Sequence, residues 1–262
     1  MAQWRDDVVR RTDPGSRPHL AIEAVAVPGD EGGVTSVGAA APAPRPYPEA
    51  VTDTRPALPV LADLDWPLRT ARLALRPARP EDAAVIWPWY GREDVQEYTT
   101  TRPGDLAAMQ EWWDEPSRLA STLVAERDRV IVATGMIKVQ DAWGQSDVAE
   151  QARGTLAELG WTVDPGRQGE GIGTELAGAL LDVAIDGLGI RRVVAECFAA
   201  NTASRRVMEK IGMRLEALHR EDSLHRSGRW MDGATYAILA SERAAGARMT
   251  WSDETASHQE TR

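Results

Sequence analysis

Cysteine is almost missing from this chain: Cys197 is the only one among 262 residues. One thiol cannot close an intrachain disulfide, which excludes a disulfide-stapled fold and fits a reducing cytosol. Positive charge is also short, with 30 Lys and Arg against 40 Asp and Glu and a net charge of −10. Nucleic-acid binders need a basic surface for the phosphates, so nucleic acid is not an expected partner. An acidic chain suits a cationic substrate such as an amine. No apolar run approaches membrane-spanning length, and the opening MAQWRDDVVRR lacks the apolar stretch of a signal peptide. The expected setting is the cytoplasm, with no membrane partner. His19, His219, His225 and His258 are scattered and match no zinc spacing, so no metal is expected.

What is present is unevenly spread. Residues 1–67 hold ten of the sixteen prolines, include GAAAPAPRPYPEA and show no sustained apolar period. They read as a largely disordered extension, although HLAIEAVAV and LPVLADL form short apolar runs within it. Residues 244–262 are polar and read as a tail. The informative domain is 68–243. There RLALRP (72–77) alternates like a strand, and Pro80-Glu81-Asp82 starts a helix that Pro88 should kink or end. Asp105 starts a second helix, LAAMQEWWDEP. STLVAE and VIVATGMIKVQ pair through Arg127-Asp128-Arg129, and TLAELGWTV is a further strand. Ile172, Leu176, Leu180, Leu181, Ile185 and Leu188 fall on one face of a helix. RVVAECF is strand-like, 201–210 is helical, and 213–219 with 234–240 reads as a closing strand pair. The resulting order, β-α-α-β-β-β-α-β-α-β-β, is a mixed α/β layer.

The stretch RQGEGIG (167–173) joins a strand to the long amphipathic helix. A helix start exposes unpaired N–H groups that favour an anion, and glycines let the backbone approach phosphate closely. The dinucleotide pattern GxGxxG fails, because Leu176 stands three residues after Gly173, and no Gly-Lys-Ser/Thr is present. A structural turn remains the other reading of the glycines alone.

The spacing that does fit is Gln168-x-x-Gly171-x-Gly173, followed by NTASRRVMEKIGM from Asn201. This combination resembles the GNAT superfamily of acyl-CoA-dependent N-acetyltransferases, over about residues 68–243, and is most similar to the branch with the ribosomal-protein-alanine N-acetyltransferases. The resemblance implies an α/β GNAT fold: a mixed, mostly antiparallel central sheet of six to seven strands flanked by about four helices. It implies an acyltransferase that moves an acetyl group from acetyl-CoA, as co-substrate, to a primary amine, either a protein N-terminal α-amine or a small molecule, working as a monomer or homodimer. A non-catalytic acyl-CoA-binding or interaction module on the same fold is the other reading, to which the N-terminal extension lends weight.

Carried over residue by residue, the resemblance gives Gln168, Gly169, Gly171, Gly173 and Thr174 the pyrophosphate, with Arg167 as charge partner. Glu170 is expected to face solvent. The strand of Trp161 and Val163 should splay from 192–198, so that its free backbone groups pair with the pantetheine amides. A backbone N–H of 160–163 would polarise the thioester carbonyl. Asn201 matches the asparagine that meets the pantetheine arm, and is equally a helix cap. Ser204 stands where relatives place a proton donor to the leaving thiolate, or is a plain helix serine. Arg205 and Arg206 meet phosphates or solvate the helix. The amine must lose a proton, and two carboxylates are candidates for catalysis: Glu158, before the glycine loop, and Glu221 in the loop REDS. Cys197 reads as core. Trp87, Trp89, Trp112 and Trp113 read as core packing or as an acceptor wall, and Trp230 as part of a loop bordering the acceptor.

Overall fold

An aspartate–arginine pair reverses the chain between its two longest early strands. Asp128 and Arg129 both take positive φ, 53° and 64°, the two-residue turn whose twist matches a hairpin. This structure, a computed structural model, describes residues 60–245. Residues 1–59 and 246–262, which carry nearly all of the Pro/Ala-rich extension and most of the polar tail, lie outside the described residues.

The described chain runs β1 (Leu68–Arg69), β2 (Ala74–Pro77), α1 (Asp82–Tyr90), α2 (Glu93–Gln96), α3 (Leu106–Trp113), α4 (Pro116–Ser121), β3 (Thr122–Arg127), β4 (Val130–Gln140) and β5 (Leu156–Val163). It continues with α5 (Ile172–Asp182), β6 (Arg192–Phe198), α6 (Thr202–Lys210), β7 (Arg214–Leu224), β8 (Trp230–Leu239) and α7 (Ala240–Ala245). One sheet holds all eight strands in the order β1-β2-β3-β4-β5-β6-β8-β7. Every neighbouring pair is antiparallel except β5 and β6. The α/β GNAT-type architecture is therefore as expected.

The differences are local and have physical causes. The two-residue β1 carries too little pattern to register in the sequence. The added helices are the short α2, α4 and α7. Pro116 begins α4 at a position that needs no N–H, and the Glu115 carboxylate accepts from the Ser117 and Arg118 amides. Pro88 does not stop α1, which runs on to Tyr90; in the last turn it removes one hydrogen bond only. The closing hairpin extends well past 219 and starts before 234, because β7 lies at the sheet edge and is exposed along most of its length. A strand bathed on both sides shows no apolar alternation.

Helix α5 packs against one face of the sheet. Leu176, Leu180 and Leu181 are buried there with Ala157, Leu159, Val193 and Ala195. The approach is close: a Cβ on Gly135 would come within 2.7 Å of Leu180 Cδ1. A second cluster joins Ile86, Trp89, Met109 and Trp113 of α1 and α3 to Val124 and Ile131 on the other face. Leu61 is buried in the first cluster, Leu64 and Trp66 pack against it, and Trp66 Nε1 donates to the Leu61 carbonyl at 2.7 Å. Leu61, Leu64 and Trp66, which the composition had assigned to the extension, thus pack with the core. Near the other end of the described chain, Arg243 pairs with the buried Asp182 of α5.

Candidate active site

The parallel pair β5–β6 comes apart in the middle of the sheet. Its register runs through Leu156↔Arg192, Ala157↔Val193 and Glu158↔Val194 and then stops, although β5 continues to Val163 and β6 to Phe198. The amide of Asp164 donates to Val132 of β4 at 2.9 Å, so the even-numbered residues of β5 aim their backbone at β4. The N–H and C=O of Trp161 and Val163 therefore face the gap.

The loop from this gap into α5 is organised by local bonds. Asp164 Oδ1 accepts from the Gly166 amide, its carbonyl accepts from Arg167, and the Pro165 carbonyl accepts from Gln168. After Gln168 the pattern changes. Among the described residues nothing accepts a hydrogen bond from the amides of Gly169, Glu170, Gly171, Ile172, Gly173 or Thr174. Gly169 and Gly171 both hold φ at 82°, a conformation L side chains rarely adopt. Gly171 is the N-cap of α5, and no side chain occupies the cap. Free donors at the positive end of a helix dipole form an anion cradle.

Arginines distant in the chain shape this cradle. Arg72 Nη1 donates to the Glu170 carbonyl at 2.7 Å, and Arg72 Nε to Glu175 Oε2 at 2.7 Å. Thr70 Oγ1 donates to the other Glu175 oxygen at 2.5 Å. Partial burial raises the Glu175 pKa, but the bonds from Thr70 and Arg72 outweigh it and hold the carboxyl below its ordinary value. Arg127 pairs with the Glu170 carboxylate at 2.5 Å, and Arg167 stands 3.9 Å from it. Glu170 is exposed, as expected, and its charge is in addition neutralised. Arg72 and Arg127 lie in the first half of the domain, and nothing in their own surroundings marks them as loop braces.

Asn201 caps α6: its Oδ1 accepts from the Ser204 amide at 3.1 Å. The cap leaves its Nδ2 without a partner among the described residues, so a second contact is open to it. Ser204 lies against Cys197, and burial pushes the Cys197 thiol up, which suits a core residue and not a nucleophile. Arg205 is engaged within the protein. Its Nε donates to Tyr236 Oη at 3.1 Å and its Nη1 to the Ala199 carbonyl at 3.3 Å, while Tyr236 Oη donates to Glu209.

The candidate bases stand differently. Ala157 and Leu159 are buried under α5, so Glu158 faces the side of α1 and α3; Gln140 Nε2 donates to it at 3.2 Å. Glu221 lies not in a loop but in an irregular stretch of β7, at φ 47°, with its amide on Asp232 Oδ1. Its neighbour Asp222 is turned over the sheet, so that a Cβ on Gly233 would meet Asp222 Oδ1 at 2.6 Å. Gly233 is the register partner of Phe198 at the end of β6. Phe198 packs with Tyr98 and His225, at centroid distances of 5.8 and 5.3 Å. His225 and Arg226 bond the carbonyls of Glu97 and Thr99. The hairpin tip is thereby clipped to the segment after α2.

Of the tryptophans, Trp89 and Trp113 are core, with Trp113 Nε1 on the Arg79 carbonyl, and Trp112 lies under the Arg118 guanidinium. Burial pushes the Tyr90 phenol beside them up to about 12, so it stays protonated. Trp230 begins β8 and is exposed. Among the described residues no group of three His, Cys, Asp or Glu could hold a metal, and no helix is long and apolar enough to cross a membrane.

Comparison with known proteins decides the family. Residues 72–214, more than half of the chain, match the family described as an acetyltransferase (GNAT) domain. The chain is a GNAT acetyltransferase. The family places it among acyltransferase enzymes. It is 36% identical over 85 residues to the uncharacterized N-acetyltransferase YnaD of Bacillus subtilis, 32% of this chain, and spans about half (49%) of that relative's length. It is 26% identical over 186 residues to the uncharacterized N-acetyltransferase p20 of Bacillus licheniformis, covering 68% of this chain and 98% of that one. Among solved structures, a GNAT acetyltransferase from Bacillus anthracis matches with TM-score 0.57 and 24% identity, over 67% of this chain and 99% of the other. A ribosomal-protein-S5-alanine acetyltransferase from Vibrio fischeri matches with TM-score 0.56 and 15% identity, over 67% and 97%. A spermidine N-acetyltransferase from Vibrio cholerae, in complex with CoA and spermine, matches with TM-score 0.55 and 17% identity, over 67% and 99%. The GNAT fold is common to all three, and the near-equal scores do not select a branch.

Proposed function

We propose that this chain moves an acetyl group from acetyl-CoA to a primary amine, a protein N-terminal α-amine or a small-molecule amine, by direct attack on the thioester. The observation that carries the reading is the run of free amides from Gly169 to Thr174 beside the opening between β5 and β6. The residues fit the co-substrate: donors of the right kind meet a diphosphate, and the Glu170 charge that would oppose it is held by Arg127. Bound acetyl-CoA supplies the activated acyl thioester.

The chain's own residues do the rest. Gln168, Gly169, Gly171, Gly173 and Thr174 hold the diphosphate, with Arg167 at the rim. Trp161 and Val163 offer backbone groups, and Asn201 its free amide, to the pantetheine arm. Arg205, already bonded to Tyr236 and Ala199, positions the turn before α6. Ser204 gives a proton to the departing thiolate. A carboxylate takes the proton of the amine, which titrates near 8 for an α-amine and above 10 for lysine. Glu158 is one such group; of the Glu221-Asp222 pair, Asp222 is the one turned over the sheet. The single unpaired cysteine fits a reducing cytoplasm.

The test is incubation with acetyl-CoA and a panel of amines and peptides while free thiol is monitored. Thiol release that depends on an amine supports the reading. CoA binding with no release across the panel would leave a non-catalytic acyl-CoA-binding module.

A further inference from the structure

Carboxylates stand on the open face beside the gap: Glu158 on β5 and, because Ala195 is buried on the α5 side, Glu196 on β6. Where the helices cover that face, the polar groups are of the opposite kind. Tyr90 ends α1, Trp112 lies in α3 and Arg118 in α4. The three side chains form one stack. The Tyr90 and Trp112 rings are 5.7 Å apart, centroid to centroid, and Arg118 Cζ lies 3.8 Å over the Trp112 ring. Arg118 Nε donates to the Trp112 carbonyl at 2.8 Å, which anchors the guanidinium and leaves both Nη groups for another partner.

Each of these groups is a donor without an acceptor. Among the described residues nothing accepts from Arg118 Nη1 or Nη2, from Tyr90 Oη or from Trp112 Nε1, and the last is sealed from water. Tyr90 stays protonated, and neither an indole nor a guanidinium can accept. The carboxylate that acts on Arg118 is the exposed Glu115, whose oxygens are taken by Ser117 and by the Arg118 amide at the start of α4. Burial disfavours the Arg118 charge and holds its pKa below the ordinary arginine value. A second cation, Arg226 of the β7–β8 hairpin, acts on Tyr90, while its own donors meet Glu97 and Thr99. Unmatched donors are costly where burial restricts water. Three of them, brought to one place by three helices, suit an acceptor that arrives with a ligand.

Charge and shape narrow what that acceptor is. One guanidinium balances one negative charge, and its two Nη groups match the two oxygens of a carboxylate. A polycation finds no acceptor here and is repelled by Arg118.

We propose that this cluster holds a carboxylate of the acceptor, so that the substrate is a primary amine carrying a carboxylate elsewhere in the same molecule. The inference rests on the transferase reading above. Arg118 Nη1 and Nη2 donate to the two carboxylate oxygens, and Tyr90 Oη donates to one of them. Trp112 is the platform that keeps the guanidinium flat. The ammonium end is left to the side of Glu158 and Glu196. The hairpin tip neighbours both ends: Arg226 acts on Tyr90, and His225 packs on Phe198 at the end of β6.

The probes are linear ω-amino carboxylates of increasing chain length, each with its primary amide as a neutral match. Binding is read first, without acetyl-CoA. The Trp112 indole N–H signal, assigned with Trp112→Phe, should shift saturably with acids of the right length and not with the amides. The shift should vanish in Arg118→Gln. No saturable shift with any acid overturns the site, and a shift with inorganic phosphate alone overturns the choice of carboxylate. Turnover is read next, as thiol released from acetyl-CoA. For the best acid kcat/KM should exceed that of its amide about tenfold, as hydrogen bonds to a charged group give. Arg118→Gln should bring the ratio near one. Tyr90→Phe, which keeps the ring packing, should lower it about threefold and decides the matter if Arg118→Gln does not fold. Amides turned over as fast as their acids overturn the proposal and leave the transferase reading standing. Acids that bind while no amine releases thiol overturn the transferase reading, and the acceptor role with it, while the carboxylate contact stands.

Discussion

On one face of the sheet, Leu176, Leu180 and Leu181 of α5 lie buried against Ala157, Leu159, Val193 and Ala195. On the other face, along the same central strands, Glu158, Glu196 and Thr235 stand beside an opening. The first arrangement is held by apolar burial, which tolerates no charge unless it is paired. The second is a set of hydrogen bonds between side chains that no single element carries. Between them lies the glycine loop, where one helix belongs to both: its sides fill the core and its first turn carries the free amides proposed to hold the co-substrate. The faces should therefore fail differently when altered, one in stability and the other in binding or turnover.

The largest effect is expected on the core side. Asp182 is buried in α5 and paired with Arg243. Asp182→Ala leaves the largely, not fully, buried Arg243 guanidinium without this partner, a change that costs about 3 kcal/mol, the low end for a buried pair. Thermal unfolding should move down accordingly, while the fraction still folded should bind CoA as wild type does. A loss of affinity matching the loss of stability would show that the two faces are not separable.

Next comes the loop. Gly173 is the position to change, because Gly171 holds φ at 82° with Arg72 Nη2 only 3.2 Å from a Cβ built there. At Gly173 a Cβ would touch Val163 Cγ2 at 3.4 Å, an ordinary contact. Gly173→Asp places a carboxylate in the first turn of α5, where the dipole favours it. Stability should hold or rise, yet CoA affinity measured by calorimetry should drop about 100-fold, roughly 2.7 kcal/mol. A stable variant that binds CoA normally would contradict the cradle.

These two sites also show what was legible in the chain. Burial of the α5 face follows from apolar spacing, and the cap at Asn201 from its residue type. Cradle glycines were readable because residues 161–174 are contiguous, and a helix start needs little else. The open face is assembled from segments up to 129 residues apart, such as Arg226 on Glu97. Arg72 and Arg127 look like ordinary surface arginines until the fold brings them to Glu170. Which of Glu221 and Asp222 is turned over the sheet depends on an irregularity in β7, where two register shifts reset which residues face which side. Neither shift leaves a period to detect, since the strand is exposed almost throughout.

A smaller effect is expected at the brace under the loop. The folded pKa of Glu175 is depressed, so its contribution is fully present above the carboxylate's unfolded pKa and fades as pH falls through the folded value. Acid unfolding of wild type should accordingly be steeper than that of Glu175→Gln, which has no such proton to gain. The same variant loosens Arg72 from Glu175, and CoA affinity should weaken only a few-fold, because the loop amides remain. Identical acid-unfolding curves would show that Glu175 is not a stabilising group.

The smallest effect concerns the open face alone. Arg226 donates to the Thr99 carbonyl at 2.5 Å and to Glu97 at 3.4 Å, and His225 Nε2 lies 3.0 Å from Glu97 O. These are exposed bonds, each worth only about 1 kcal/mol. Arg226→Ala should thus leave the melting temperature almost unchanged. It frees the segment that brings Tyr98 onto Phe198, however, and hydrogen exchange over residues 97–99 should speed up. The acceptor KM should rise about threefold if the lost bonds hold the acceptor wall, roughly 0.65 kcal/mol at 25 °C. CoA affinity should not move, because none of the loop amides touches this segment. A change in CoA affinity larger than the change in acceptor KM would place the 97–99 segment on the co-substrate side and dissolve the division between the two faces.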